Sequence, residues 1–138
     1  MASKHAIIII KNEKDEYLQY YEESWHNYLF LNCKQEDCAD LNKIKDIVLE
    51  KLEINPSKID YLFTKIHSKY SVKHEKMREY EHYFYLVDID PKTFEAQKEF
   101  VINNTKFKWF GMAELEKNPE IMQINWDIIG FIKEWFTK

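Results

Sequence analysis

The sequence predicts an α+β fold in which strands outnumber helices and one helix crosses between them. Three observations predict it. Short β-branched and aromatic runs separated by polar turns recur from the N-terminus to Phe110. The hydrophobic period switches from two to between three and four at Leu41 and again near Trp126. With 45% hydrophobic and 32% charged residues, and only 2 Gly and 3 Pro in 138 residues, the composition excludes disordered and low-complexity classes.

His5 to Lys11 is a β-branched run bounded by charge, and the polar turn Asn12 to Glu16 separates it from a second strand, Tyr17 to Tyr21. Tyr28 to Leu31 is a further short strand that stops at Asn32, with Lys34 to Asp40 a charged loop. Leu41, Ile44, Val48 and Leu52 then form the stripe of a helix packed by one face, predicted over about 41–54, with Asp40 as N-cap and Pro56 closing the segment. Ile59 to Ser68 and His82 to Ile89 read as strands joined by a charged connection, Lys69 to Glu81. Apolar groups on both faces of the second make it central to its sheet. Glu99 to Ile102, the turn Asn103-Asn104 and Lys106 to Phe110 follow. Ala113 to Lys117 is a short helix before Pro119, and a terminal helix is predicted over about 126–136 with Trp126, Ile129 and Ile132 at helical spacing. There is no internal repeat and no linker, so residues 1–138 read as a single domain.

Twenty Lys and Arg against 24 Asp and Glu give a net charge of −4, which argues against a general nucleic-acid-binding surface. The early apolar stretch, Ala6 to Ile10, is far below the roughly 20 residues of a membrane span, and no signal pattern precedes it, so the expected location is cytoplasmic, with no membrane partner. Cys33 and Cys38 read as ordinary thiols, since a zinc site needs more ligands than the nearby His26.

Several pieces, taken in order, resemble the Nudix fold. Trp25 and Tyr28-Leu29-Phe30 run into Leu31-Asn32-Cys33-Lys34 where that family has a Pro-Gly-Gly-Lys-type turn. Glu79 to Leu86 is similar to the family's Glu-rich approach to a central aromatic strand, and Lys108-Trp109-Phe110-Gly111-Met112-Ala113-Glu114-Leu115 is similar to its Trp strand and Glu-Leu helix start. The resemblance covers almost the whole chain and implies an α/β/α sandwich around a central mixed sheet, with the helix over about 41–54 carrying the family's box, Gly-x5-Glu-x7-Arg-Glu-φ-x-Glu-Glu-x-Gly-φ.

In that box, carboxylates spaced at i, i+3 and i+4 share one helical face and hold magnesium or manganese against a diphosphate. Laid onto Asp46 to Ile54, the box keeps Val48 and Ile54 as aliphatics, but its carboxylate positions read Ile47, Glu50 and Lys51. Asp46 stands at the arginine position, Glu53 at the terminal glycine and Cys33 at the opening glycine. Glu50 alone keeps its carboxylate and is the candidate catalytic residue.

The expected function is therefore a Nudix-like domain with a degenerate box that binds, as a sensor of a nucleotide or phosphate ligand or as a protein-interaction module, a role such domains have in some bacterial signalling and defence systems. Lys51 replaces a metal ligand by a cation that can meet a phosphate directly. Lys34 is a further candidate for the phosphates, and Trp25, Tyr28, Phe84 and also Tyr20 are candidates for stacking a base. Two alternatives stand beside this reading. One is an active Mg- or Mn-dependent hydrolase of nucleoside diphosphate-linked substrates, its metal held by Glu50 with Glu79 and Glu81, or with Glu36, Asp37, Asp40, Glu75 and His82. The other is a structural domain that binds a protein partner through aromatic surface. His67, His74 and His82 are spaced too widely for a compact metal motif and read as surface or strand-edge residues.

Overall fold

A computed structural model describes residues 3–34, 40–71, 74–90 and 97–137. The described residues form seven strands and three helices in the order β1 (Ser3–Ile9), β2 (Glu16–Glu22), β3 (Asn27–Lys34), α1 (Leu41–Leu52), β4 (Lys58–Ser71), β5 (Lys76–Asp88), β6 (Glu99–Ile102), β7 (Thr105–Gly111), α2 (Met112–Lys117) and α3 (Pro119–Phe136). The hydrogen-bonded order is β4-β5-β1-β3-β2-β7-β6. Among the described residues only β1 and β5 run parallel, which makes the pairing mixed and the fold α+β, as the sequence predicts. The chain divides into two compact units, Met1–Ile10 with Leu31–Asp90 and Lys11–Phe30 with Pro91–Lys138, and β3 passes from one into the other.

In the first unit β5 lies between β4 and β1, which explains why its apolar residues alternate with apolar residues. Ile7, Ile8, Ile9, Phe84, Tyr85 and Val87 are buried there. Helix α1 packs against β4 and buries Ile44, Val48 and Leu52. Its ends follow from local chemistry. The Asp40 carboxylate accepts from the Asn42 N–H at 2.9 Å, and Glu53, in the left-handed region at φ 59°, sends its N–H back to the Leu49 carbonyl.

Two predicted boundaries in this unit are corrected. The charged connection Lys69 to Glu81 is hairpin: β4 runs on to Ser71 and β5 begins at Lys76, paired residue for residue from Ser68↔Glu79 to Ser71↔Lys76. Alternating charged and aromatic residues suit a two-stranded ribbon whose faces are both partly solvated, a pattern that a search for apolar alternation passes over. Strand β3 likewise continues through Lys34, because Asn32, Cys33 and Lys34 pair with Ile7, Ala6 and His5. Lys34 is therefore strand rather than the start of the expected loop, and Glu36, Asp37 and Cys38 lie outside the described residues.

The second unit is built on β2, the first half of β3, β6 and β7, with Tyr17, Leu18, Phe30, Phe107, Trp109 and Phe110 buried. Asn103 and Asn104 both have positive φ, 49° and 66°, the backbone of a two-residue hairpin turn that asparagine adopts more readily than most residues. Helix α3 begins at Pro119, seven residues before the predicted start. Proline here opens a helix: it occupies the first turn, where its missing N–H costs nothing, and the Asn118 side chain accepts from the Ile121 N–H at 3.1 Å. The buried residues are Ile121, Asn125, Asp127, Ile129 and Ile132, and Trp126 is 53% exposed rather than among them. Two side-chain amides tie α3 to β3, Asn27 donating to the Glu120 carbonyl and Asn125 to that of Tyr28. Asn118→Ala is expected to cost about 1 kcal/mol, read as a lower denaturation midpoint at unchanged slope.

No helix among the described residues is long and apolar enough to cross a membrane.

Candidate functional site

Helix α1, on which the sequence places the expected box, presents little to a metal. Its buried stripe centres on Val48, so Ile47 and Lys51 lie on the flank and are half-buried, while Glu50, two residues from Val48, projects from the opposite side into solvent. A divalent cation needs several oxygens, and here one exposed carboxylate stands beside an aliphatic side chain and an ammonium. The donor set does not fit the ion that the box would hold. Glu79 and Glu81, the other proposed donors, lie on β5. Glu81 pairs with Lys4 at 3.7 Å and accepts from the Tyr83 hydroxyl, whereas Glu79 is exposed. Among the described residues Glu50, Glu79 and Glu81 form no three-ligand cluster.

The expected stacking aromatics are placed as follows. Phe84 is 0% exposed and stacks on Phe63 with ring centroids 4.4 Å apart, so its ring is part of the core and offers no open face. In the second unit Tyr28 is half-buried, edge-on to Tyr21 and Phe110, and burial pushes its hydroxyl pKa up. Tyr20 is buried, and Trp25 is 42% exposed in the turn between β2 and β3.

What the sequence spacing does not reveal is a cluster on one face of β4, β5 and β1. His5 lies opposite His82 in the parallel register, and His67 lies opposite Tyr80 in the antiparallel one. Their rings converge: His67 to His82 is 5.1 Å between centroids, His5 to His82 is 5.7 Å, and Tyr80 stacks on His82 at 5.7 Å. His82 is 4% exposed, so two of the three histidines expected at the surface or a strand edge are instead gathered on one face, while His74 is in the exposed hairpin turn. Cations surround the cluster. Lys69 and Arg78 lie over the Tyr80 ring at 5.8 and 5.7 Å, Arg78 also donates to the Ser3 hydroxyl at 3.2 Å, and Lys34 sits opposite His5 at the end of β3.

These surroundings act on His5. Burial first, then the charges of Lys34, Arg78 and Lys69, hold its imidazole below the ordinary 6.5. The folded state therefore binds this proton less readily than the unfolded chain, and the stability His5 supports at neutral pH is lost as pH falls through 6.5. In thermal unfolding His5→Gln is expected to flatten the decline of Tm on that acid side, and a slope identical to wild type would refute the assignment.

No protein-family model matches the chain, and no curated protein matches it. Solved structures do. An Ap4A hydrolase from C. elegans superposes with a TM-score of 0.57 at 14% identity, over 99% of this chain and 97% of that one. The NUDIX domain of Shewanella oneidensis NrtR, in complex with ADP ribose, gives a TM-score of 0.59 at 13% identity, over 97% of this chain and 88% of that one. A Nudix hydrolase from M. smegmatis, RenU, gives 0.53 at 5% identity, over 96% and 86%. Likeness of this extent at such low identity is likeness of fold, and the fold that this chain adopts is that of the Nudix hydrolases.

Proposed function

We propose that residues 1–138 act as one Nudix-like domain that binds a nucleotide-type, phosphate-bearing ligand without hydrolysing it, working in the cytoplasm as a ligand sensor or interaction module. The observation that carries the reading is the make-up of α1, where Ile47 and Lys51 occupy two carboxylate positions of the box and Glu50 is left alone and exposed. Without a carboxylate cluster, α1 does not itself gather a divalent ion and lower the pKa of its water, which is how the box hydrolyses a diphosphate. The class of ligand is supported by the fold, shared with an Ap4A hydrolase and with an NrtR domain in complex with ADP ribose. Lys51, in the last turn of α1, contributes a point charge that a phosphate can meet directly.

Purified protein incubated with Mg²⁺ or Mn²⁺ and a panel of ADP-ribose, dinucleoside polyphosphates, nucleotide sugars and nucleoside triphosphates should release no product by mass spectrometry. At a ligand concentration of 100 times Kd, binding adds about 2.7 kcal/mol to folding stability, and the resulting rise in Tm should persist in EDTA. Diphosphate cleavage that vanishes in Glu50→Gln would overturn the non-hydrolytic reading and establish the Mg- or Mn-dependent hydrolase in its place. A panel that yields neither turnover nor any thermal shift would remove the nucleotide altogether.

A further inference from the structure

The β4–β5 pairing brings together two imidazoles that the sequence keeps apart. His67 lies opposite Tyr80 and Lys65 opposite His82, so the two histidines are diagonal neighbours on one face of the ribbon. Their ring centroids are 5.1 Å apart, and both pack against Tyr80, His67 at 6.1 Å and His82 at 5.7 Å, while Phe84 meets His82 edge-on. The third member is Asp127 on α3. One of its carboxylate oxygens and one ring nitrogen from each of His67 and His82 all lie within 4.8 Å of one another. Asp127 is 2% exposed and His82 4%, with His67 half-buried.

We propose that His67, His82 and Asp127 form a site for one transition-metal ion of the zinc class, with a fourth position left to water or a small anion. The donor set selects the ion. Two imidazoles and one carboxylate suit zinc and its neighbours, whereas Mg²⁺ and Ca²⁺ take oxygen ligands and Mn²⁺ stands at the weak end of the affinity order. Ligand atoms about 2.0–2.2 Å from a tetrahedral zinc ion stand about 3.4 Å from one another, so separations within 4.8 Å are closed by small rotations of the three side chains. Burial gives a second reason. A carboxylate taken out of water is costly until its charge is met, and a divalent ion meets the charge of Asp127 while binding both imidazoles in their neutral form. Packing against Tyr80 and Phe84 fixes the ring planes, which an ordered site requires. Lys69 and Arg78, over the Tyr80 ring at 5.8 and 5.7 Å, repel any cation, so affinity comes from coordinate bonds that imidazole gives to zinc and not to Mg²⁺. All three ligands lie outside α1, and the inference stands apart from the nucleotide reading.

The test is metal uptake by the full chain. Protein stripped with EDTA, freed of the chelator and dialysed against Zn²⁺ should hold one zinc per chain by elemental mass spectrometry, and its Tm should rise with Zn²⁺ and not with Mg²⁺. Co²⁺ should compete and give the visible absorption of a four-coordinate site, without the near-ultraviolet charge-transfer band of a thiolate ligand. His67→Gln, at the half-buried position, should weaken zinc binding by more than the roughly 10–100-fold that an outer partner of a metal site carries, and Asp127→Asn should do the same. His74→Gln, in the exposed hairpin turn, and Cys33→Ser/Cys38→Ser should take up zinc as wild type does. If Asp127→Asn melts well below wild type without metal, His67→Gln decides alone. Wild-type zinc affinity in a folded His67→Gln, or loss of zinc in the cysteine variant, places the ion elsewhere and overturns the site. Wild-type protein that takes up no zinc overturns it as well, and the cluster is then a hydrogen-bonded carboxylate and imidazole pair only.

Discussion

Replacing Phe84 by alanine is expected to lower the unfolding free energy by about 3–5 kcal/mol. Phe84 is 0% exposed in a strand bonded on both sides, opposite Ile7 on β1 and Phe63 on β4. Its ring is stacked on Phe63 at 4.4 Å with an interplanar angle of 18°, and meets His82 edge-on at 6.2 Å. Truncation removes this packing and leaves a void between strands whose hydrogen bonds prevent them from closing over it, so the lost transfer energy and the cavity both count. Domains of this size are stable by about 5–15 kcal/mol and lose roughly 3 °C of Tm per kcal/mol, so the variant should melt about 10 °C or more below wild type. Phe84→Leu, which keeps most of the volume, should recover more than half of the loss. A denaturant titration in which Phe84→Ala costs less than about 1 kcal/mol would show that the ring is not part of the core and would restore it as a surface for a base.

The contrast between Phe84 and His82 marks where the sequence is legible and where it is not. Periodicity carries to the structure wherever one face is apolar: the stripe of α1 is Ile44, Val48 and Leu52 as spaced, and Asp40 caps it. The Asn103-Asn104 turn is equally direct, because two adjacent residues that tolerate positive φ leave few other readings. Periodicity fails where the buried residues are polar. Asn125 sits in the stripe of α3 and shifts its apparent phase toward Trp126, which the structure leaves in solvent. The outer hairpin fails for the same reason, since Lys69, Arg78 and Tyr80 look like connection until their pairing register is known. The histidine cluster needs two registers at once, β1 against β5 and β4 against β5, and His5 is 77 positions from His82 in sequence. Parallel pairing leaves no local trace, because nothing in the turn chemistry of either strand fixes it. A weak signal was present in the outer hairpin sequence, where Lys65, His67, Lys69, Lys76, Arg78, Tyr80 and His82 all stand at alternate positions around the turn while Glu79 and Glu81 do not.

Installing the missing carboxylates should give α1 the metal dependence it lacks. In Ile47→Glu/Lys51→Glu the new side chains are one turn apart on the flank of the helix, and Glu50 follows one step around, so three carboxylates come within reach of a single cation. Without metal the variant should be less stable than wild type by about 1–3 kcal/mol, because a half-buried aliphatic group becomes charged, like charges adjoin, and a cation is lost from the C-terminal turn where it complements the helix dipole. Mn²⁺ in excess relieves the repulsion and should restore about 2–4 kcal/mol, as expected for a ligand at roughly 30 to 1,000 times its Kd. Wild-type protein should melt at the same temperature with and without Mn²⁺ over that range. The measurement is a pair of melting curves for each protein, and it reads the chemistry of the helix directly, whatever the natural ligand. A double variant that ignores Mn²⁺ would mean that these positions do not share a face open to an ion, and the alignment of the box with Asp46 to Ile54, on which the non-hydrolytic reading depends, would have to be abandoned.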